Sequence, residues 1–184
     1  MTFEECIAGG GVAVFPADTV YGLACDPENE RAVARLYELK GRPSDKPAAV
    51  MFFSVAALPL LGPRTRALAE RLLPGAVTLL VPSDRFPLAG GGGTLGLRVP
   101  DLPAFADVTV PVLQSSANLT GGPDARRLEE VPESIRAGAD LVMDGGELAG
   151  TPSTVVDLRD YEASGELRIV RHGAVPEAVI RSSA

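Results

Sequence analysis

"GVAVFPADTVYGLACD", residues 11–26, starts as an apolar strand, breaks at Pro16 and resumes as a second apolar strand near Tyr21. Asn29 then stands as an N-cap before "ERAVARLYELK", where Ala32, Val33, Leu36 and Leu39 fall at the spacing of an amphipathic helix. The helix is predicted to stop at Gly41, and Pro43 confirms the stop. The stretch thus holds two hairpin-like neighbours followed by a helix that leads to another strand.

The same mixture continues along the chain. Upstream, Thr2 and Glu5 fit a capping box for a short first helix. Downstream, "AAVMFF" reads as a buried strand and "TRALAERLL" as a helix ended by Pro74-Gly75. Further strand candidates are "AVTLLV" (76–81), "LGLRV" (95–99), "PVLQS" (111–115), "LVMD" (141–144), "STVVDL" (153–158) and "ELRIVR" (166–171). Short helices are expected at 102–107, 130–137 and 176–182. Hairpin-like pairs interleaved with strand–helix–strand units predict an α/β (mixed α+β) fold, a mixed parallel and antiparallel sheet flanked by helices. The 184 residues suit one domain spanning 1–184, with no internal repeat and no linker.

Composition narrows the function. With 46% apolar and 22% charged residues the chain resembles an ordinary globular protein. No apolar run approaches the roughly 20 residues a membrane helix needs. The acidic start MTFEECIAGG is unlike a secretory signal, so a cytoplasmic location is expected. The net charge of −7 argues against a broad, nonspecific grip on nucleic acid. Two cysteines, Cys6 and Cys25, and a lone histidine, His172, give neither a disulfide framework nor a metal cluster. Neither a P-loop nor a strand-bound G-x-G-x-x-G is present. "GGGG" (90–93) reads as a mobile loop rather than a phosphate nest.

Several polar clusters sit where strands end. Thr19 and Tyr21 follow the break at Pro16. "YELKGRPSDKP" (37–47) holds both lysines of the chain, Lys40 and Lys46, with Arg42 between them. A cation at a helix C-terminus is favoured by the macrodipole, which accounts for Lys40 but not for three cations on one Gly/Pro-restrained turn. Such a turn aims charge at one point, as a polyphosphate site requires. Arg98 lies in the apolar strand of "TLGLRVP", "SSANLTG" (115–121) offers hydroxyls and an amide, Ser153 and Thr154 open a strand, and Arg171-His172-Gly173 closes the last one. Ser115 or Ser116 with His172 makes a poor triad, because no G-x-S-x-G elbow surrounds either serine. Cations and hydroxyls with few acids suit binding of anions and a small polar ligand.

"FPADTVYGL", "LKGRPSDKP", "LGLRVP", "SSAN", "STVVDL" and "RHG", in this order over nearly the whole chain, resemble the YrdC-like family, which includes the L-threonylcarbamoyladenylate synthases. The resemblance implies a twisted mixed sheet with an open ligand cleft, in the short single-domain bacterial form. It implies that L-threonine, bicarbonate and ATP yield threonylcarbamoyl-AMP and pyrophosphate for modification of adenosine 37 in tRNA. It places Lys40, Arg42, Lys46, Thr94, Ser116, Asn118 and Arg171 on the ATP side, with Lys40 and Arg42 as the catalytic pair meeting the phosphates. Thr19, Arg98 and Ser153 fall on the threonine side. Mg²⁺ is expected on the phosphates with no protein carboxylate assigned to it, and no protein metal site is expected. Hand-over to threonylcarbamoyl-transferase proteins is expected too, with weak or indirect tRNA binding and no membrane. Departures are Lys46 where the family often has asparagine, "FPAD" for the commoner proline-threonine start, "QSSAN" for proline-serine-alanine-asparagine, and Met51 where some relatives have histidine. The alternatives are a carbamoyl-adenylating enzyme and a non-catalytic RNA-binding module.

Overall fold

The break at Pro16 turns the chain back on itself. In the computed structural model, which describes residues 1–43 and 46–184, β1 (Ala13–Pro16) and β2 (Tyr21–Cys25) pair antiparallel, Val14 opposite Leu23 and Phe15 opposite Gly22. Helix α1 (Phe3–Ala8) precedes them with the predicted capping box, Thr2 Oγ1 accepting from Glu5 N at 3.1 Å. Asn29 caps α2 (Glu30–Lys40), and Gly41 ends it in the left-handed region at φ 56°. The Arg42 amide there donates back to the Tyr37 carbonyl at 2.9 Å, a close that glycine adopts without strain. Ser44 and Asp45 of the "LKGRPSDKP" stretch lie outside the described residues.

The remaining elements are β3 (Ala49–Met51), α3 (Pro63–Leu72), β4 (Val77–Pro82), β5 (Thr94–Arg98), β6 (Val112–Ser116), α4 (Glu133–Gly138), β7 (Leu141–Val142), β8 (Thr154–Asp157), α5 (Tyr161–Ser164), β9 (Arg168–Arg171) and α6 (Glu177–Ser183). Among the described residues nine strands form one open sheet in the order β7-β1-β2-β6-β3-β5-β4-β8-β9. The pairs β1–β7, β3–β5 and β4–β8 are parallel and the others antiparallel, so the sheet is mixed as predicted. No helix among the described residues is long and apolar enough to cross a membrane.

Three local expectations change. Residues 102–107 make only a 3-10 turn, Pro103–Phe105. The helix expected at 130–137 begins at Glu133, because Pro132 lacks the N–H that would continue the preceding turn. "LVMD" shrinks to the two residues of β7, and α5 was not anticipated at all.

Strand alternation sends side chains to two different surroundings. One face carries Val14, Leu23, Val50, Leu79, Leu97 and Leu113 into the main core, which α2 and α3 cover with Leu36 and Leu68. The other face carries Phe15, Ala24, Met51 and Val112 into a smaller core with Phe3, Ile7 and Phe105. That second core covers only one end of its face. Over the rest, Ala49, Gly96, Thr78, Leu80 and Gln114 floor an open cleft.

Candidate functional site

The cleft has a volume of about 480 Å³ and is bounded by the turn after β1, the start of β5, the segment after β6 and the Pro152–Ser153 entry to β8. Its floor is low in the middle because Ala49 and Gly96, paired in the parallel β3–β5 register, carry little or no side chain. A β-carbon added at Gly96 would already lie 3.4 Å from Ala49. Of the ten residues singled out above, Thr19, Arg42, Thr94, Arg98, Ser116, Ser153 and Arg171 line this one cavity. Residues drawn from strand ends far apart in sequence therefore converge.

Arg98 is only 3% exposed. Its Nη2 donates to Thr19 Oγ1 at 3.0 Å and to the Asp18 carboxylate, while its Nε has no partner among the described residues. Asp18 also accepts from the Asp101 amide at 3.3 Å. Burial pushes the Asp18 carboxyl above its usual range against the pull of Arg98, and burial likewise lowers Arg98. The guanidinium stays charged all the same, since its ordinary value lies so far above neutrality. Asp18 qualifies the expectation of cations and hydroxyls with few acids: a buried guanidinium needs a counter-charge, and the turn after Pro16 supplies one.

Ser153 and Arg171, assigned to different sides of the site, touch each other. Arg171 Nη2 donates to the Ser153 carbonyl at 2.8 Å and to its Oγ at 3.2 Å, and Ser153 Oγ lies 2.8 Å from Thr78 Oγ1. Arg42 lies over the Tyr37 ring, 5.9 Å from its centroid, and donates to the Pro47 carbonyl at 2.6 Å; its Nε is unpartnered among the described residues.

Lys40, Lys46 and Asn118 do not line the cavity. Lys46 is exposed. The expectation that Lys40 presents its ammonium to phosphate differs from what the fold builds. Its side chain is buried, and its Nζ donates to the Ser116 carbonyl, the Asn118 carbonyl at 2.9 Å and Asn118 Oδ1 at 3.0 Å. Three N–H bonds meet three oxygens, so the donor set is full. Burial, helped by the charge of Arg42 and opposed by Asp124, holds the Lys40 pKa down at about 8. Asn118 Oδ1 also accepts from Ser116 Oγ at 2.6 Å, and its Nδ2 donates to the Gly122 carbonyl at 2.6 Å. The lysine thus fastens the end of α2 beneath the segment that carries Ser116.

His172 is exposed, 4.0 Å from Glu177, and Ser116 Oγ already donates to Asn118, so the triad has no geometry. Met51 packs fully buried in the smaller core. The "GGGG" run, expected as a mobile loop, has a defined turn in which Gly91 lines the cleft; a β-carbon there would fall 1.6 Å from the Thr94 carbonyl oxygen. Sequence reasoning missed Asp18, Thr78, Gln114, Asp124 and Arg159, all but Asp18 lining the cavity. Strand alternation could have found Thr78 and Gln114, polar residues inside apolar strands. Asp124 and Arg159 follow turns with no pattern of their own.

A family model for Sua5/YciO/YrdC, described as telomere recombination, matches residues 5–173. A threonylcarbamoyl-AMP synthase of Bacillus subtilis is 35% identical over 162 residues, covering 81% of this chain and 47% of that protein. A protein of the same name from Pseudomonas paraeruginosa is 38% identical over 161 residues, covering 81% and 86%. The crystal structure of P. abyssi Sua5 complexed with L-threonine superposes with a TM-score of 0.87 at 29% identity, covering 98% of this chain and 55% of that one. The chain spans about half the length of the Bacillus and Pyrococcus proteins and most of the Pseudomonas one.

Proposed function

The chain belongs to the Sua5/YciO/YrdC family, and on that premise we propose that it is an L-threonylcarbamoyladenylate synthase, a nucleotidyltransferase that makes threonylcarbamoyl-AMP and pyrophosphate for modification of tRNA position 37. The observation that carries this reading is the cleft itself. It sets arginines at separate points around a floor of small and hydroxyl-bearing residues, with no nucleophile–base pair among the described lining residues.

That inventory suits the chemistry. The threonine amine and bicarbonate combine to a carbamate with loss of water, and a carbamate oxygen attacks the α-phosphorus as the bond to pyrophosphate breaks. No protein nucleophile takes part. The protein holds two anions together, balances charge on the phosphates and keeps water from the carbamate. We assign threonine to Thr19, Arg98 and Ser153, whose hydroxyls and guanidinium meet its polar groups. ATP falls to Arg42, Thr94, Ser116 and Arg171, with Asn118 and Lys40 fixing Ser116 from beneath and the Lys40 charge adding to the positive field there. Mg²⁺ would arrive on the nucleotide phosphates, where Asp124 is the one carboxylate among the described lining residues. It would supply charge neutralisation. The product is an activated acyl phosphate, so hand-over to a threonylcarbamoyl-transferase acting on tRNA completes the role.

Pyrophosphate release tests the proposal. Release is expected only with ATP, L-threonine and bicarbonate together. Equal release without threonine, or brisk release with carbamoyl phosphate in place of bicarbonate and threonine, refutes it, the latter in favour of a carbamoyl-adenylating enzyme.

A further inference from the structure

Gln114 is the polar residue at the centre of the cleft floor that the assignments above leave unused. It is 7% exposed and lines the cavity, yet its carboxamide makes no hydrogen bond among the described residues. Its amide atoms are not among the fully enclosed side-chain atoms that lack a partner, so they face the open space of the cleft. Nor does packing tie the amide down. Its strand neighbours are Ala24 on β2 and Ala49 on β3, and its Nε2 lies 3.2 Å from where a β-carbon on Gly22 would stand. The surroundings make room for the amide without bonding it.

The sheet register says what lies above it. On the cleft face, Arg98 shares a row with Met51 and Val112, and Gln114 shares the next with Ala49 and Gly96. Ser116 and Thr94, each two residues further along its strand, form the row beyond. Gln114 therefore lies between the row that holds the threonine-side guanidinium and the row that holds the nucleotide-side hydroxyls.

Resting on the synthase reading, we propose that the Gln114 carboxamide is the binding group for the carbamate, the atoms that join threonine to the phosphorus. A carbamate offers an N–H and a C=O side by side. A primary amide is its complement, its oxygen accepting from that N–H while its NH₂ donates to that C=O. The donor is neutral, and that suits the step: a cation here would hold the carbamate oxygens back from phosphorus, whereas an amide orients them without withdrawing their charge. Before the carbamate forms, the same NH₂ group receives a bicarbonate oxygen.

The experiment measures pyrophosphate release with each substrate varied in turn, for the wild type, Gln114→Ala and Gln114→Glu. Glutamate keeps the shape but loses the donor and adds a negative charge beside the anion. Both variants are expected to raise the KM for bicarbonate about tenfold or more, as for loss of hydrogen bonds to a charged group, with the KM for ATP little changed. In calorimetry, bicarbonate should tighten threonine binding to the wild type and not to Gln114→Ala. If alanine fails to fold, Gln114→Asn, which retracts the amide by one methylene, takes its place in both measurements. An unchanged bicarbonate KM in folded variants, or a rise confined to ATP, overturns the proposal. A wild type that needs no bicarbonate overturns the synthase reading instead.

Discussion

Replacing Lys40 by methionine keeps the apolar stem of the side chain as far as its ε-carbon and removes its only titratable group. At neutral pH the Ser116 and Asn118 carbonyls lose the lysine donor, while Asn118 Oδ1 keeps only Ser116 Oγ, which costs about 1–3 kcal/mol for each carbonyl left unmatched, less whatever cleft water restores. A net loss of about 2–4 kcal/mol follows. The pH dependence is more telling. The Lys40 pKa falls from 10.5 to about 8 on folding. From pH 8 to 10.5 the unfolded chain therefore keeps a proton that the folded chain has released, and stability from this group rises with pH. At 1.36 kcal/mol per pH unit the rise is about 3 kcal/mol across the window. Buried acids pull the other way there, since burial pushes Cys25 up to about 12 and raises Tyr37. Wild type and variant share those groups, so the difference between them isolates the lysine. Urea denaturation at pH 7, 8, 9 and 10 should show the wild type's advantage widening steadily above pH 8. An advantage that stays flat, or shrinks, refutes the buried, carbonyl-bound ammonium.

Two further outcomes follow from the cleft. Arg98→Lys gives up the planar fork that serves Asp18, Thr19 and a ligand at once, so threonine affinity in calorimetry should drop by about 1.5–3 kcal/mol while ATP affinity holds; the opposite pattern would move Arg98 to the nucleotide side. Gly91→Ala places a methyl group 1.6 Å from the Thr94 carbonyl, and that backbone cannot yield without moving the start of β5. It should cost about 1–3 kcal/mol in thermal unfolding and raise the KM for ATP; a variant of full stability would mean that the glycine turn re-forms freely.

The sequence by itself determined the elements and their faces. Helical spacing and Asn29, Gly41 and Pro43 bounded α2, and alternation marked the strands, because these signals depend on neighbours only two to four residues apart. It lost precision where an element is too short to show a period, overrunning β7 by two residues and missing α5. The motif order, with its family resemblance, named seven residues that one cavity gathers. Tertiary structure alone decided what each charge meets. Lys40 looks in sequence like a free cation at a helix end, but Ser116 and Asn118, more than seventy residues away, close over it with three oxygens. Arg98 looks unpaired until the turn after Pro16 brings Asp18 to it across eighty positions. Gln114 is one polar residue among the strands until the register sets it between two rows of ligand-facing groups. Local propensity is written in local sequence, whereas a buried charge or a cleft-facing amide is defined by neighbours that only the assembled sheet brings within reach.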